Sequence, residues 1–233
     1  MGGRAVPATE HDETESVNGR VPAALDALWL TTLQTVCSRA AHDVRGALNA
    51  VAVNLEVARS RSEKPGAPAS VVAPYASIAS TQLEGVIAMT EALMFLVRPG
   101  RGPIDVGAEV TRMVALLMPP AQSAGRTIEL DQDIGGLGTT SARTSSARLA
   151  IGHCLLAAAD ASASVRCVAE NASDGPRLRV EHGAGVIALD SAVTDLLAAA
   201  DVEVRSEPGA IAIGFPRVNE GEAQIKTDSI SDS

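Results

Sequence analysis

Aromatic residues are scarce: Trp29, Tyr75, Phe95 and Phe215 are the only four among 233, or 2% of the chain. Their scarcity removes the platforms on which proteins stack nucleobases. It leaves a core of Ala, Leu, Val and Ile, whose small side chains favour closely packed helices. Positive charge is also in deficit, with 19 Lys and Arg against 28 Asp and Glu and a net charge of −9. No uniformly basic surface is available to hold a phosphate backbone, which argues against nucleic acid as a partner. The three cysteines, Cys37, Cys154 and Cys167, are odd in number, widely spaced and set in apolar stretches. That pattern indicates reduced, buried thiols rather than a disulfide framework or a zinc site. Apolar runs are short, and runs such as Leu149 to Ala159 are interrupted, here by Gly152 and His153. A membrane helix needs ~20 continuous apolar residues. The first twenty residues are polar, carry Glu10, Asp12, Glu13 and Glu15, and lack an apolar signal core. The expectation is a cytoplasmic protein with residues 1–20 as a disordered segment.

What the chain does have is helical periodicity. From Val21 to Ser62 apolar residues recur at steps of three and four, through Leu30, Leu33, Cys37, Ala40, Val44, Leu48, Val51, Leu55 and Ala58. Pro22 fits an early helical position, and the cluster Glu63-Lys64-Pro65-Gly66-Ala67-Pro68 breaks the pattern. A second stripe runs through Ala79, Gln82, Val86, Met89, Leu93 and Leu96 until Pro99-Gly100-Arg101-Gly102-Pro103 ends it. Residues 21–98 are therefore expected to form a long antiparallel helical hairpin. At ~1.5 Å per residue the first helix extends ~60 Å, and one hairpin of that length cannot hide both apolar faces. A two-fold homodimer closing a four-helix bundle is the economical solution.

After the linker the pattern alternates. Helices are expected at Val106 to Ser123, Ser145 to Ala161 and Asp190 to Ala199. Strands are expected at Thr127 to Leu130, Ser164 to Ala169, Arg177 to Glu181, Val202 to Arg205 and Ala210 to Phe215. Residues 104–216 read as a small α/β sandwich, so the fold class is α+β. Residues 217–233, rich in Ser, Asp and Glu, read as a disordered tail.

The residues with chemical promise lie on the first helix. In Ala41-His42-Asp43-Val44-Arg45-Gly46-Ala47-Leu48-Asn49, Val44 and Leu48 belong to the apolar stripe and His42 lies well away from it. Its neighbours on the same face are Ser38, Arg39, Arg45, Gly46 and, a further turn on, Asn49, all small or polar. A partner could approach the imidazole closely. An exposed imidazole can accept a phosphoryl group on one ring nitrogen if the other is held, and the adjacent Asp43 suits that task. Arg39 and Arg45 could offset the phosphoryl charge.

The segment His42-Asp43-Val44-Arg45-Gly46-Ala47-Leu48-Asn49 resembles the H-box of sensor histidine kinases: His, acidic, Leu-like, Arg, two variable positions, Leu, Asn. On that resemblance the hairpin is similar to their dimerisation and histidine phosphotransfer domain, and residues 104–216 to their ATP-binding domain. Ile104-Asp105-Val106 opens the second domain, and Arg148 to Ala161 stands where the family's Asn-rich helix belongs. Val180-Glu181-His182-Gly183-Ala184-Gly185-Val186 looks like the adenine loop, and Val202 to Gly209 like the last strand and turn before Phe215-Pro216. The ATP-binding domain is a degenerate one. His153 and Ala157 stand where the resemblance implies two Asn, one of them a magnesium ligand, and Glu181 replaces an adenine-reading Asp. Between Gly185 and Val202 there is room for one short helix but not for the lid and Gly-rich loop that cradle phosphates. Gly46 stands where the kinases carry a Thr or Asn that orients water against an acyl phosphate.

The resemblance therefore implies a homodimeric histidine phosphotransferase of the ChpT type that has lost its nucleotide site. His42 would exchange a phosphoryl group with receiver-domain aspartates downstream of a hybrid histidine kinase. It would need no cofactor of its own, magnesium being supplied by the receiver. The alternatives are a non-catalytic pseudo-histidine-kinase scaffold binding response regulators or kinases, and a divergent kinase that still binds nucleotide.

Overall fold

The computed structural model describes residues 11–66, 68–100, 102–170 and 172–218, with side chains from Arg20 onward. The first helix, α1, runs His11–Ser62 and contains Pro22 in its interior. It thus starts ten residues ahead of the expected Val21, and the disorder expected for residues 11–20 is replaced by helix. The reading for residues 1–10 lies outside the described residues. Arg59 and Arg61 in its last turn complement the negative end of the helix dipole. After the turn at Gly66, where φ is +76°, α2 runs back over Ala69–Leu96. The seam between the two helices buries Leu25, Trp29, Leu33, Val36 and Ala40 with Met89, Ala92 and Leu96. A second stripe on the same helices stays bare: Leu30, Leu48 and Leu55 of α1 and Leu83, Ile87 and Met94 of α2 are each 45–58% exposed.

The second half begins with β1 (Ile104–Asp105) and α3 (Val106–Ser123), the helix capped by Asp105 accepting from the Ala108 N–H at 2.9 Å. Then come β2 (Thr127–Leu130), a 3-10 turn at Gln132–Gly136, β3 (Thr139–Thr140), α4 (Thr144–Ala161), β4 (Ser164–Glu170) and β5 (Arg177–His182). Finally α5 (Ser191–Ala198), β6 (Glu203–Glu207) and β7 (Ala210–Gly214) complete it. Five strands form one sheet in the order β2-β4-β5-β7-β6, with only the β2–β4 pair parallel, and β1 pairs with β3 apart from it. The strands alternate: Leu178, Val180 and His182 of β5 are buried with Val165, Cys167, Ile211 and Ile213, while Arg177, Arg179 and Glu181 lie on the other face. Helices α3 and α4 cover the apolar face with Val110, Met113, Leu117, Ile151 and Leu155. The sequence-based α+β reading holds. Arg217 forms a bridge with Thr140 and its carbonyl accepts from Ser141, so the chain is still ordered where the tail was expected to begin. Residues 219–233 lie outside the described residues.

Cys154 and Cys167 are buried free thiols, and burial pushes both up to about 12, as expected for inert core residues. Cys37 is free but half-buried.

A buried ion pair joins α3 to α4 within the second half. Arg148 of α4 and Glu109 of α3 are 4% and 3% exposed and meet at 3.0 Å. Removing either partner leaves an uncompensated buried charge, at a cost of roughly 3–5 kcal/mol.

Candidate functional site

At 3.6 residues per turn, side chains one turn before and after His42 share its face, and α1 presents them as a strip running away from the buried seam. His42, Ser38, Arg45, Gly46 and Asn49 are all exposed. A Cβ built on Gly46 would meet nothing within 4 Å, so the helix surface beside the imidazole is bare backbone. Among the described residues the His42 ring makes no hydrogen bond.

Arg39 and Asp43 differ from the sequence expectation. Both point toward the C-terminal domain, on the flank of the His42 face. Arg39 forms a two-pronged pair with Asp160 at the end of α4, Nη1 to Oδ1 and Nη2 to Oδ2, both at 2.8 Å. Arg126 approaches the same carboxylate at 3.5 Å and donates to the Ala159 carbonyl. The Arg39 hydrogen bond holds the Asp160 carboxyl below its usual range and raises the guanidinium in turn. Arg39 is therefore a bridge between domains, and Arg45 is a cation on the His42 face with no ion pair among the described residues. Asp43 is half-buried, and its Oδ1 accepts from Ser123 Oγ at 2.6 Å instead of from the neighbouring imidazole. Ser123, Arg126 and Asp160 were not singled out from sequence. Ser123 and Asp160 stand 80 and 121 residues from their partners on α1, and no local pattern announces them.

The residues that the resemblance aligns with nucleotide-binding positions lie on α4 and β5. Glu181 lies on the outer face of the sheet, 3.8 Å from Arg179, and the inward residue at that strand end is His182. Ala157 offers no ligand atom. His153 is half-buried, held below its usual value by burial and only partly restored by the charge of Asp190. Its Nε2 and both ring nitrogens of His182 have no hydrogen-bond partner among the described residues. Helix α1 lies against α4 at this level, with the Cβ position of Gly152 only 3.1 Å from the Thr32 methyl. From Gly183 to Asp190 the chain is a single irregular segment leading straight into α5. Two large cavities among the described residues lie elsewhere. One of about 1170 Å³ sits under the linker, between Trp29, Val97, Pro99 and Thr144. The other, of about 880 Å³, sits beside the 3-10 turn, between Asp133, Gly136, Glu170 and Ser173. Among the described residues no group of three or more His, Cys, Asp or Glu side chains that could hold a metal occurs.

No protein-family model and no curated protein matches the chain. Solved structures do. The likeness is to histidine kinases. The Acinetobacter baumannii histidine kinase AdeS is 12% identical, with 76% of this chain and 98% of that one covered and a TM-score of 0.40. A histidine kinase from Burkholderia phymatum STM815 is 12% identical, with 77% and 99% covered and a TM-score of 0.39. The cytoplasmic segment of histidine kinase QseC is 9% identical, with 58% and 92% covered and a TM-score of 0.37. Scores this low fix no residue-by-residue correspondence, so the reading of His42 and its neighbours rests on the geometry of this chain. No described helix is long and apolar enough to cross a membrane.

Proposed function

We propose that the protein is a histidine phosphotransferase of a two-component phosphorelay, working as a cytoplasmic homodimer. One ring nitrogen of His42 attacks the phosphorus of a receiver's aspartyl phosphate. The N–P bond forms as the P–O bond to the carboxylate breaks, and the receiver's aspartate leaves as a free carboxylate. Attack by a second receiver's aspartate reverses the step. The observation that carries this reading is the unobstructed, exposed imidazole on a helix face whose neighbours are Ser38, Arg45, Gly46 and Asn49. Transfer of this kind needs positioning and charge stabilisation more than covalent help from the carrier. Arg45 supplies a cation, and the receiver supplies its own magnesium. An upstream hybrid histidine kinase would load the first receiver.

The absence of ATP chemistry is part of the proposal. It is supported by Ala157, by the outward Glu181, by α1 lying against α4 and by the short segment between Gly183 and Asp190. The bare stripe of Leu48, Leu55, Leu83, Ile87 and Met94 supports the dimer, because a second copy of the same stripe would cover it.

One observation favours the second reading, a scaffold that binds receivers without being phosphorylated. Asp43 bonds Ser123, so the His42 ring is not held by its neighbour. The deciding experiment incubates the protein with phosphorylated receivers and looks for acid-labile label. Label that appears on the wild type and is lost in His42→Ala supports the carrier. No label from any receiver leaves the scaffold. Label from Mg-ATP alone, or micromolar Mg-ATP binding by calorimetry, would instead make the protein a kinase.

A further inference from the structure

All five N–H groups of Arg148 have acceptors. Nε and Nη2 donate to Glu109 Oε2 and Oε1 at 3.0 and 3.1 Å. Nη1 donates to the carbonyls of Leu96 and Arg98 at 2.8 and 2.7 Å, and Nη2 to that of Phe95 at 3.3 Å. One guanidinium from α4 thus closes the last turn of α2, which has no basic residue of its own there, and grips the linker. The Phe95 ring is covered by the Arg112 guanidinium at 3.4 Å. Gly100 is pressed on the start of α4 so closely that a Cβ would lie 1.7 Å from Thr144 Oγ1. Carbonyls of a free hinge would be left to water; these are spent on a buried cation.

A second set of ties sits further along α1. Asp26 faces Arg143 at 3.7 Å near the linker, while Arg39 and Asp43 hold Asp160 and Ser123 at the far ends of α4 and α3. Asp26 and Asp43 are ~25 Å apart along the helix. These contacts are exposed and contribute little on their own, so they align the domain only while the buried Arg148 cluster holds it.

We propose that Arg148 locks the C-terminal domain to the hairpin, so that residues 97–100 are not a hinge and the ends of α3 and α4 form a stationary wall beside His42. The lock rests on its own contacts. Its consequence, that a receiver meets a surface already assembled, rests on the reading of His42 as phosphoryl carrier.

The test is the set of backbone residual dipolar couplings of the deuterated full chain. In the wild type, couplings from α1–α2 and from the sheet should fit one alignment tensor. Arg148→Lys, whose three donors sit on one atom and cannot span Glu109 and three carbonyls, should require two tensors while the amide pattern of the sheet persists. Two tensors in the wild type, or one tensor in a folded Arg148→Lys protein, would overturn the proposal. If that variant does not fold, the neutral pair Glu109→Gln with Arg148→Gln is read in the same way. Labelling of His42 by phosphorylated receivers, measured on the same samples, separates the two ideas. A single-tensor wild type that never takes label refutes the carrier and keeps the lock; a labelled wild type with two tensors does the reverse.

Discussion

Ser123 Oγ donates to Asp43 Oδ1 at 2.6 Å, so the last turn of α3 holds the carboxylate that neighbours His42. The contact couples the C-terminal domain to the residue beside His42 while leaving the imidazole open. It also separates two roles of Asp43 that substitution can distinguish.

Ser123→Ala should lower stability by about 1 kcal/mol in urea unfolding, the ordinary worth of one solvent-accessible hydrogen bond, while transfer to His42 proceeds. Asp43→Asn should slow transfer without loss of receiver binding. Equal slowing in both variants would mean that the interdomain bond, and not the carboxylate, serves the reaction.

Leu48→Glu or Ile87→Glu should turn a particle of twice 23.8 kDa into one of 23.8 kDa by light scattering. Helix content should survive, because both side chains are about half exposed in the single chain. Each apolar side chain fully buried by a partner contributes about 1.5–3 kcal/mol per copy. A wild type that scatters as a monomer at micromolar concentration removes the bundle.

The Arg39–Asp160 pair predicts an acid-sensitive increment of stability. The Arg39 hydrogen bond holds the Asp160 carboxyl below its usual value of 3.8. The folded state therefore binds this proton less readily than the unfolded one. The stabilisation is complete above the usual value and is lost as pH falls through the lower folded one. The side chains are 37% and 52% exposed, so solvent and salt keep the increment small. Urea midpoints measured from about pH 5 down to about pH 3 should show a loss in the wild type that Arg39→Ala lacks.

Gly46 gives a prediction about water. With no side chain there to orient a nucleophile, the wild type and His42→Ala should not release inorganic phosphate from a phosphorylated receiver faster than the receiver's own decay. Gly46→Thr, placed in open space, should raise release and also stabilise the helix by a few tenths of a kcal/mol. Rapid release by His42→Ala would reveal a water-activating site elsewhere.

Local signals located most elements. The expected helix Val106 to Ser123 and strand Thr127 to Leu130 coincide with α3 and β2, because periodicity, a capping Asp105 and a Gly125 turn all agree there. The exposure of His42 followed from its phase against the apolar stripe. The start of α1 was missed because its first turns are acidic and lie beyond that stripe, and because Pro22 resembles a helix opener though it sits inside. The partners of Arg39, Asp43 and Arg148 were illegible because they come from elements 121, 80 and 39 residues away. Glu181 illustrates a phase problem. A motif match fixed its position in sequence, but the alternation of β5 puts His182 on the core face and Glu181 outside.

The strand order carries a consequence for synthesis. β7 lies between β5 and β6, so the sheet remains open until Gly214 has left the ribosome. Until then the hairpin, made first, displays His42 beside a C-terminal domain whose sheet is unfinished. Closure depends on pairings far apart in sequence, which form late. A nascent chain interrupted before Ala210 would thus carry the proposed nucleophile without its finished neighbour. Maturation of the site is tied to the arrival of its final strand.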